Sequence, residues 1–295
     1  MTFKAGFVCI VGRPNAGKST LTNALVGQKI AITSSRPQTT RHVVRGVLHT
    51  DEAQLVLVDT PGVHKPKTLL GERLNDLVRA TWSEVDVIGL CIPADEPIGP
   101  GDRFITSEIA GLKATVIAVV TKTDLVSRAR LAEQLLAVSR LGDFADVVPV
   151  SAVSGEQLDV LVEVMASHLP ESPQLYPDGM ITDEPEQVMV AELIREAALE
   201  GVRDELPHSI AVVVEEMVQA EGRDDLVKVF ADIYVERTSQ KAIVIGAGGS
   251  RLRDVGTRAR REIEGLLGQR VYLDLHVRVA KEWQRDPRQL RKLGF

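Results

Sequence analysis

Apolar residues fall along this chain in two rhythms. Gly6-Phe7-Val8-Cys9-Ile10-Val11 is a short apolar run rich in strand formers, and Ser19-Thr20-Leu21-Thr22-Asn23-Ala24-Leu25-Val26 carries apolar residues at helical spacing. Further strands are predicted around Val43–His49, Gln54–Val58, Asp86–Pro93, Ala114–Val120 and Asp146–Val150. Asp86–Pro93 and Ala114–Val120 are near-continuous apolar runs, as strands buried on both faces of a parallel sheet must be. A helix starts near Gly155. Pro170, Pro173, Pro177 and Pro185 then break helical pattern and favour extended chain. Beyond them the pattern predicts helix Gln187–Arg203, strands Ser209–Gln219 and Leu226–Glu236, and helix Ser239–Ile245. A glycine loop, helix Leu252–Leu267 and strand Val271–Val279 follow. The alternation in Ala211-Val212-Val213-Val214-Glu215-Glu216 is imperfect. The expected architecture is an α/β domain with a mostly parallel sheet at 1–170, a linker at 171–186 and a smaller α+β domain at 187–295.

Composition bounds the reading. The chain has 295 residues, 44% hydrophobic and 26% charged, which suits two globular domains and leaves no apolar stretch of membrane-spanning length. No basic-then-apolar leader opens the sequence, so a cytoplasmic protein is expected. Cys9 and Cys91 both sit in strand-like runs and read as reduced core thiols. The net charge of −6 argues against nucleic acid, but it hides an asymmetry. Ile181–Thr238 holds 5 Lys+Arg against 15 Asp+Glu, while Ser239–Phe295 holds 13 against 6. The basic tail is where a polyanion could dock.

The chemistry concentrates at strand ends. Gly12-Arg13-Pro14-Asn15-Ala16-Gly17-Lys18-Ser19-Thr20 fits G-x-x-x-x-G-K-[ST] between a strand and a helix. In such a loop consecutive amides wrap a phosphate, the lysine reaches the outer phosphates and the hydroxyl takes Mg2+. A polar, turn-prone stretch, Ser34–His42, follows. Asp59-Thr60-Pro61-Gly62 ends the next strand pair, and on its own it is an ordinary turn. Beside a phosphate loop, Asp59 is placed to hold a metal's water and Gly62 to let its amide approach a γ-phosphate. In Thr121-Lys122-Thr123-Asp124 the carboxylate can accept from guanine N1–H and N2–H2, donors adenine lacks, while the Lys122 stem covers the base. Ser151-Ala152 could offer a backbone amide to guanine O6. An open α/β sheet binds its ligand where these motifs fall.

In these motifs, with Arg36-Pro37-Gln38-Thr39-Thr40-Arg41, the chain resembles the translation-factor-related GTPases and, among them, the Era family; the similarity runs to the last residue. The resemblance implies a P-loop NTPase fold and GTP hydrolysis to GDP, with Lys18, Thr40, Asp59 and Gly62 as its working residues. It implies Mg2+ held by Ser19, Thr40 and Asp59; choosing Thr40 over Thr39 rests on resemblance alone. Asn15 looks like the asparagine with which potassium-activated relatives hold K+. Two departures stand out. Thr121 replaces the usual asparagine of the base-reading motif, and Val63 stands where Ras-like enzymes have glutamine, which implies slow intrinsic turnover.

In the second domain, Ile245-Gly246-Ala247-Gly248-Gly249-Ser250-Arg251 is either a plain helix–helix turn or the G-x-x-G clamp of a KH module, which grips single-stranded RNA by its backbone. The order of elements is that of a type II KH fold, and Arg251, Arg253 and Arg258 supply cations that the lysine-free loop lacks. The family resemblance implies the 3′ end of small-subunit ribosomal RNA and the 30S subunit as partners, a monomer, and a peripheral membrane contact as an open question. Trp283 reads as a packing anchor before a base-stacking platform. Two functions follow: a GTP-hydrolysing switch gating RNA binding in small-subunit assembly, or an RNA-binding module in which nucleotide is structural.

Overall fold

Six strands build the sheet of the N-terminal unit: β1 (Lys4–Val11), β2 (Val44–His49), β3 (Ala53–Asp59), β4 (Val87–Pro93), β5 (Thr115–Thr121) and β6 (Asp146–Pro149). Their order is β2-β3-β1-β4-β5-β6, and only β2 runs antiparallel to its neighbour. Five helices, α1 (Lys18–Val26), α2 (Leu69–Glu84), α3 (Pro100–Ile109), α4 (Arg128–Ser139) and α5 (Leu158–Ser167), connect them. Alternate residues of β1 explain the two layers. Val8 and Ile10 pack with Leu21 and Leu25 of α1 and Leu161 and Met165 of α5, whereas Cys9 and Val11 pack with Val78, Ile105 and Val138 of α2, α3 and α4. Every residue of β3 and β4 is buried, as two covered faces require. The computed structural model describes residues 2–33, 39–63, 66–202 and 206–295, so Arg36-Pro37-Gln38 lies outside the described residues.

The chain divides into two units, Met1–Lys65 with Leu74–Asp183 and Pro66–Arg73 with Glu184–Phe295. The proline-rich stretch is held to the first unit. The fully buried Gln54 side chain accepts from the amides of Leu175 and Tyr176 (2.7 and 3.0 Å) and donates to the Tyr176 carbonyl (2.8 Å), and the Val47 amide donates to the Ile181 carbonyl (2.7 Å).

The second unit runs α6 (Glu186–Leu199), α7 (Leu206–Ser209), β7 (Ala211–Ala220), β8 (Arg223–Val235), α8 (Thr238–Ile245), α9 (Ser250–Leu267), β9 (Arg270–Val279) and α10 (Pro287–Lys292). Its sheet order is β7-β8-β9, antiparallel then parallel. Two boundaries and one irregularity stand out against the sequence pattern. α6 stops at Leu199 rather than Arg203, with Gly201 left-handed at φ 69° just beyond it. Ser209, read as the start of a strand, ends the one-turn α7. The imperfect alternation in β7 is a bulge: Val214 pairs Ala231 and Glu216 pairs Phe230, leaving Glu215 as the extra residue. Trp283 is a packing anchor, fully buried, with its indole N–H on the Ser209 carbonyl (3.0 Å) and its ring stacked on Phe295.

Candidate functional site

β1 delivers its chain into the phosphate loop at Gly12, where φ is 152° and a Cβ would meet the Cys91 carbonyl oxygen of β4 at 2.7 Å. No side chain fits there. Asn15, exposed, turns left-handed at φ 63°, Ala16 is buried, and Gly17 at φ 89° caps α1, whose first residue is Lys18. That ammonium is buried and donates to the Arg13 carbonyl (3.2 Å), so it bridges its own loop. The Arg13 guanidinium is tied down in turn by Glu96 (2.7 Å) and Asp102 (3.2 Å). Thr20, next along α1, is exposed.

Asp59, at the end of β3, is fully buried. Its Oδ2 accepts from Ser19 Oγ (2.7 Å) and from Thr40 Oγ1 (3.2 Å), and the two hydroxyls lie 3.1 Å apart. Its Oδ1 is buried without a hydrogen-bond partner. Burial pushes the Asp59 carboxyl up and the Lys18 ammonium down, each partly opposed by the other's charge. Three hard oxygens and an unsatisfied carboxylate oxygen suit Mg2+, and a phosphate would restore full charge to Lys18. Thr60 contributes backbone only, because its hydroxyl points at Cys9 Sγ (3.9 Å) in the core. Pro61 is buried, and Gly62 lies against Pro14 of the phosphate loop, with its Cβ direction 3.6 Å from Pro14 Cγ. Val63 is packed into the core with Cys9 and Trp82 and presents nothing to the site.

The base-reading end joins the same loop through a residue whose role the sequence does not disclose. Thr121 Oγ1 donates to the Ala16 carbonyl (2.7 Å), so β5 holds the phosphate loop from behind. Lys122 sits left-handed at φ 60° with its ammonium 3.5 Å from Asp95, and Asp124 is exposed beyond it. Of the Ser151-Ala152 pair, the Ser151 amide is engaged by protein, on the Glu156 carbonyl (3.1 Å). The Ser151 hydroxyl donates to Asp124 Oδ1 (2.6 Å), aiming that carboxylate, while the half-buried Ala152 follows in the turn.

In the second unit, Ile245 ends α8, and Gly246 adopts φ 73° and ψ 172° where a Cβ would strike the Arg251 Cβ at 2.7 Å. Ala247, Gly248 and Gly249 form a tight turn, with Gly248 and Gly249 left-handed, and Ser250 opens α9. A groove of about 510 Å3 follows, lined by Gly249, Leu252, Arg253, Gly256, Arg260 and Leu275 among others. The arginines divide. Arg251 donates to the carbonyls of Ala198 (3.2 Å) and Glu200 (2.6 Å) and so caps α6; Arg258 pairs with Glu200 and Asp254. These two, read from sequence as RNA contacts, are engaged inside the unit, because helical spacing does not reveal which arginines a neighbouring helix end will claim. Arg253 and Arg260 remain exposed at the groove.

Comparison with known proteins matches a family model in each half of the chain. Residues 7–122 match the 50S ribosome-binding GTPase family, and residues 205–284 match the KH domain family. GTPase Era of Mycolicibacterium smegmatis is 68% identical over 99% of this chain and 99% of its own length, and that of Streptomyces coelicolor is 66% identical over 99% and 95%. Among solved structures, an Era variant of Aquifex aeolicus bound to GDP and aluminium fluoride is 38% identical with a TM-score of 0.95, covering 99% of both chains. Era in complex with MgGDPNP and nucleotides 1506–1542 of 16S ribosomal RNA gives the same identity, score and coverage. Relatives this similar over the whole length show that this protein belongs to the GTPase Era family.

Proposed function

We propose that this chain is a GTP-hydrolysing switch that binds the 3′ region of small-subunit ribosomal RNA and acts in assembly of the 30S subunit. The observation that carries the nucleotide half is the meeting of the half-buried Ser19 with the buried Thr40 and Asp59 beside the buried Lys18 at the start of α1. Solved Era structures holding GDP with aluminium fluoride, and MgGDPNP with 16S RNA, support the same substrate and partner. Amides of Asn15 to Thr20 and the α1 dipole receive the β-phosphate, Lys18 neutralises the β/γ oxygens, and the Gly62 amide meets the γ-phosphate. Ser19, Thr40 and Asp59 would hold Mg2+, which would neutralise charge on the β- and γ-phosphates. Asn15 is proposed to hold K+ beside them. Asp124, aimed by Ser151, selects guanine. In the second unit, the clamp Gly246–Gly249 takes the RNA backbone, and Arg253 supplies charge.

The buried Val63 favours a second reading, in which nucleotide is structural and hydrolysis incidental, since no side chain at that position orients water. Single-turnover hydrolysis with and without an RNA of the 16S 3′ end separates them. A switch shows RNA-stimulated turnover; a structural nucleotide shows none. Asp124→Asn should move preference from GTP toward xanthosine triphosphate, and retention of GTP preference would refute the base assignment.

A further inference from the structure

At the end of the first sheet away from the phosphate loop lies a groove of about 810 Å3 with an apolar floor. Ala24 and Leu25 of α1, Leu48 of β2, and Leu158, Val162 and Ala166 of α5 form that floor. All its lining residues fall within the first unit. Its rim carries Asp51, Glu52, Asp159 and Glu163, all exposed. Among the described residues the lining holds one cation, Lys4, and its ammonium is spent on the Ser167 carbonyl (2.6 Å). None of the four carboxylates is in an ion pair among the described residues. Elsewhere on this unit acids do find arginines: the half-buried Asp183 with Arg45 and Glu108 with Arg79, and the exposed Glu133 with Arg130.

We propose that this groove docks a basic amphipathic helix of a protein partner. Four unpaired carboxylates repel nucleic acid and anionic lipid alike, so the occupant is cationic. An apolar floor running along α5 asks for apolar side chains on one face of that occupant. The ten residues Leu158–Ser167 extend about 14 Å at 1.5 Å per residue, room for two to three turns carrying anchors at i, i+3, i+4 and i+7. α1 and β3 each run from this groove to the nucleotide site, ending there at Lys18 and Asp59, so the partner sits clear of the nucleotide.

The test uses the full chain and two labelled peptides of about 18 residues. One has a leucine face flanked by lysines; its twin carries glutamate in place of each lysine. Fluorescence anisotropy should show the lysine peptide binding, weakening with added salt, and about tenfold or more tighter than the twin. Asp159→Lys with Glu163→Lys, both exposed, should lower its affinity by a similar factor, as should Val162→Arg, while GTP turnover stays at the parent's rate. Equal binding of the two peptides, no binding of either, or binding unmoved by the exposed double substitution would overturn the proposal. So would sedimentation showing self-association of the parent that Val162→Arg abolishes, since the occupant is then a second copy of this chain.

Discussion

Burial works on Lys18 and Asp59 in opposite directions, and their protein contacts leave each short of what its charge demands. The lysine answers one carbonyl of its own loop, and the aspartate leaves Oδ1 without a donor. Such unsatisfied groups are costly unless a ligand uses them. The phosphate loop was legible in the sequence because its geometry leaves few choices: a Cβ at Gly12 collides with the Cys91 carbonyl, so the glycine spacing is written into the chain. Thr121 and the Ser151 hydroxyl were not legible, since their partners, Ala16 and Asp124, lie 105 and 27 positions away and only the sheet brings them near. Thr121→Val should leave the Ala16 carbonyl buried without its donor and cost about 1–3 kcal/mol in urea unfolding, whereas Thr121→Ser should restore most of it. Equal stability of Val and Ser variants would remove Thr121 as the support of the loop. A second residue-scale test concerns Tyr234. It is buried beside Asp232 and Glu215, and burial with those carboxylates pushes its hydroxyl up to about 12 from the ordinary 10. Between those values the unfolded chain has lost a proton that the folded chain keeps, so this residue's contribution to stability falls as pH rises from about 10 through 12. Tyr234→Phe should flatten that part of the stability profile, measured by denaturation at pH 9 to 11.

At the scale of elements, what the pattern missed was decided by neighbours. The sequence pattern carries the helix to Arg203, yet α6 stops at Leu199, where Gly201 turns left-handed and Arg251 collects two carbonyls near the helix end. One arginine therefore explains a boundary the sequence misplaced, and the same guanidinium, read from sequence as a phosphate contact, is engaged by protein carbonyls. The bulge at Glu215 does the same for β7: apolar and polar positions lose their alternation because one residue is added between Val214 and Glu216. These observations separate the arginines of α9 by experiment. Arg251→Ala should lower the second unit's stability by about 1–3 kcal/mol, because carbonyls at the end of α6 lose a charged donor. Arg253→Ala should leave the urea midpoint unchanged and weaken RNA binding, with a shallower dependence on salt, as expected when one phosphate contact is lost. If Arg251→Ala weakens RNA binding without loss of stability, its guanidinium faces RNA and the capping assignment fails.

For the molecule as a whole, the proposed nucleotide site and the proposed RNA groove, on separate units, make a switch only if they share free energy. Linkage makes that condition quantitative. If exchanging GDP for a non-hydrolysable GTP analogue tightens RNA binding by a factor, then RNA must tighten the analogue relative to GDP by the same factor, because both routes join the same four states. The two readings of the chain differ in this number. A structural nucleotide predicts a factor of one; a switch predicts roughly 5- to 150-fold, or about 1–3 kcal/mol of coupling. Calorimetric titration of the RNA into both nucleotide-bound forms, and of both nucleotides with and without RNA, measures the cycle twice and checks itself by closure. The Lys4–Ser167 groove supplies an internal control, since Asp159→Lys with Glu163→Lys alters neither ligand site and should leave the factor as it stands in the parent. A coupling of one in the parent protein would leave GTP binding and RNA binding as two activities on one chain, and the gating proposed for assembly would have no energetic basis.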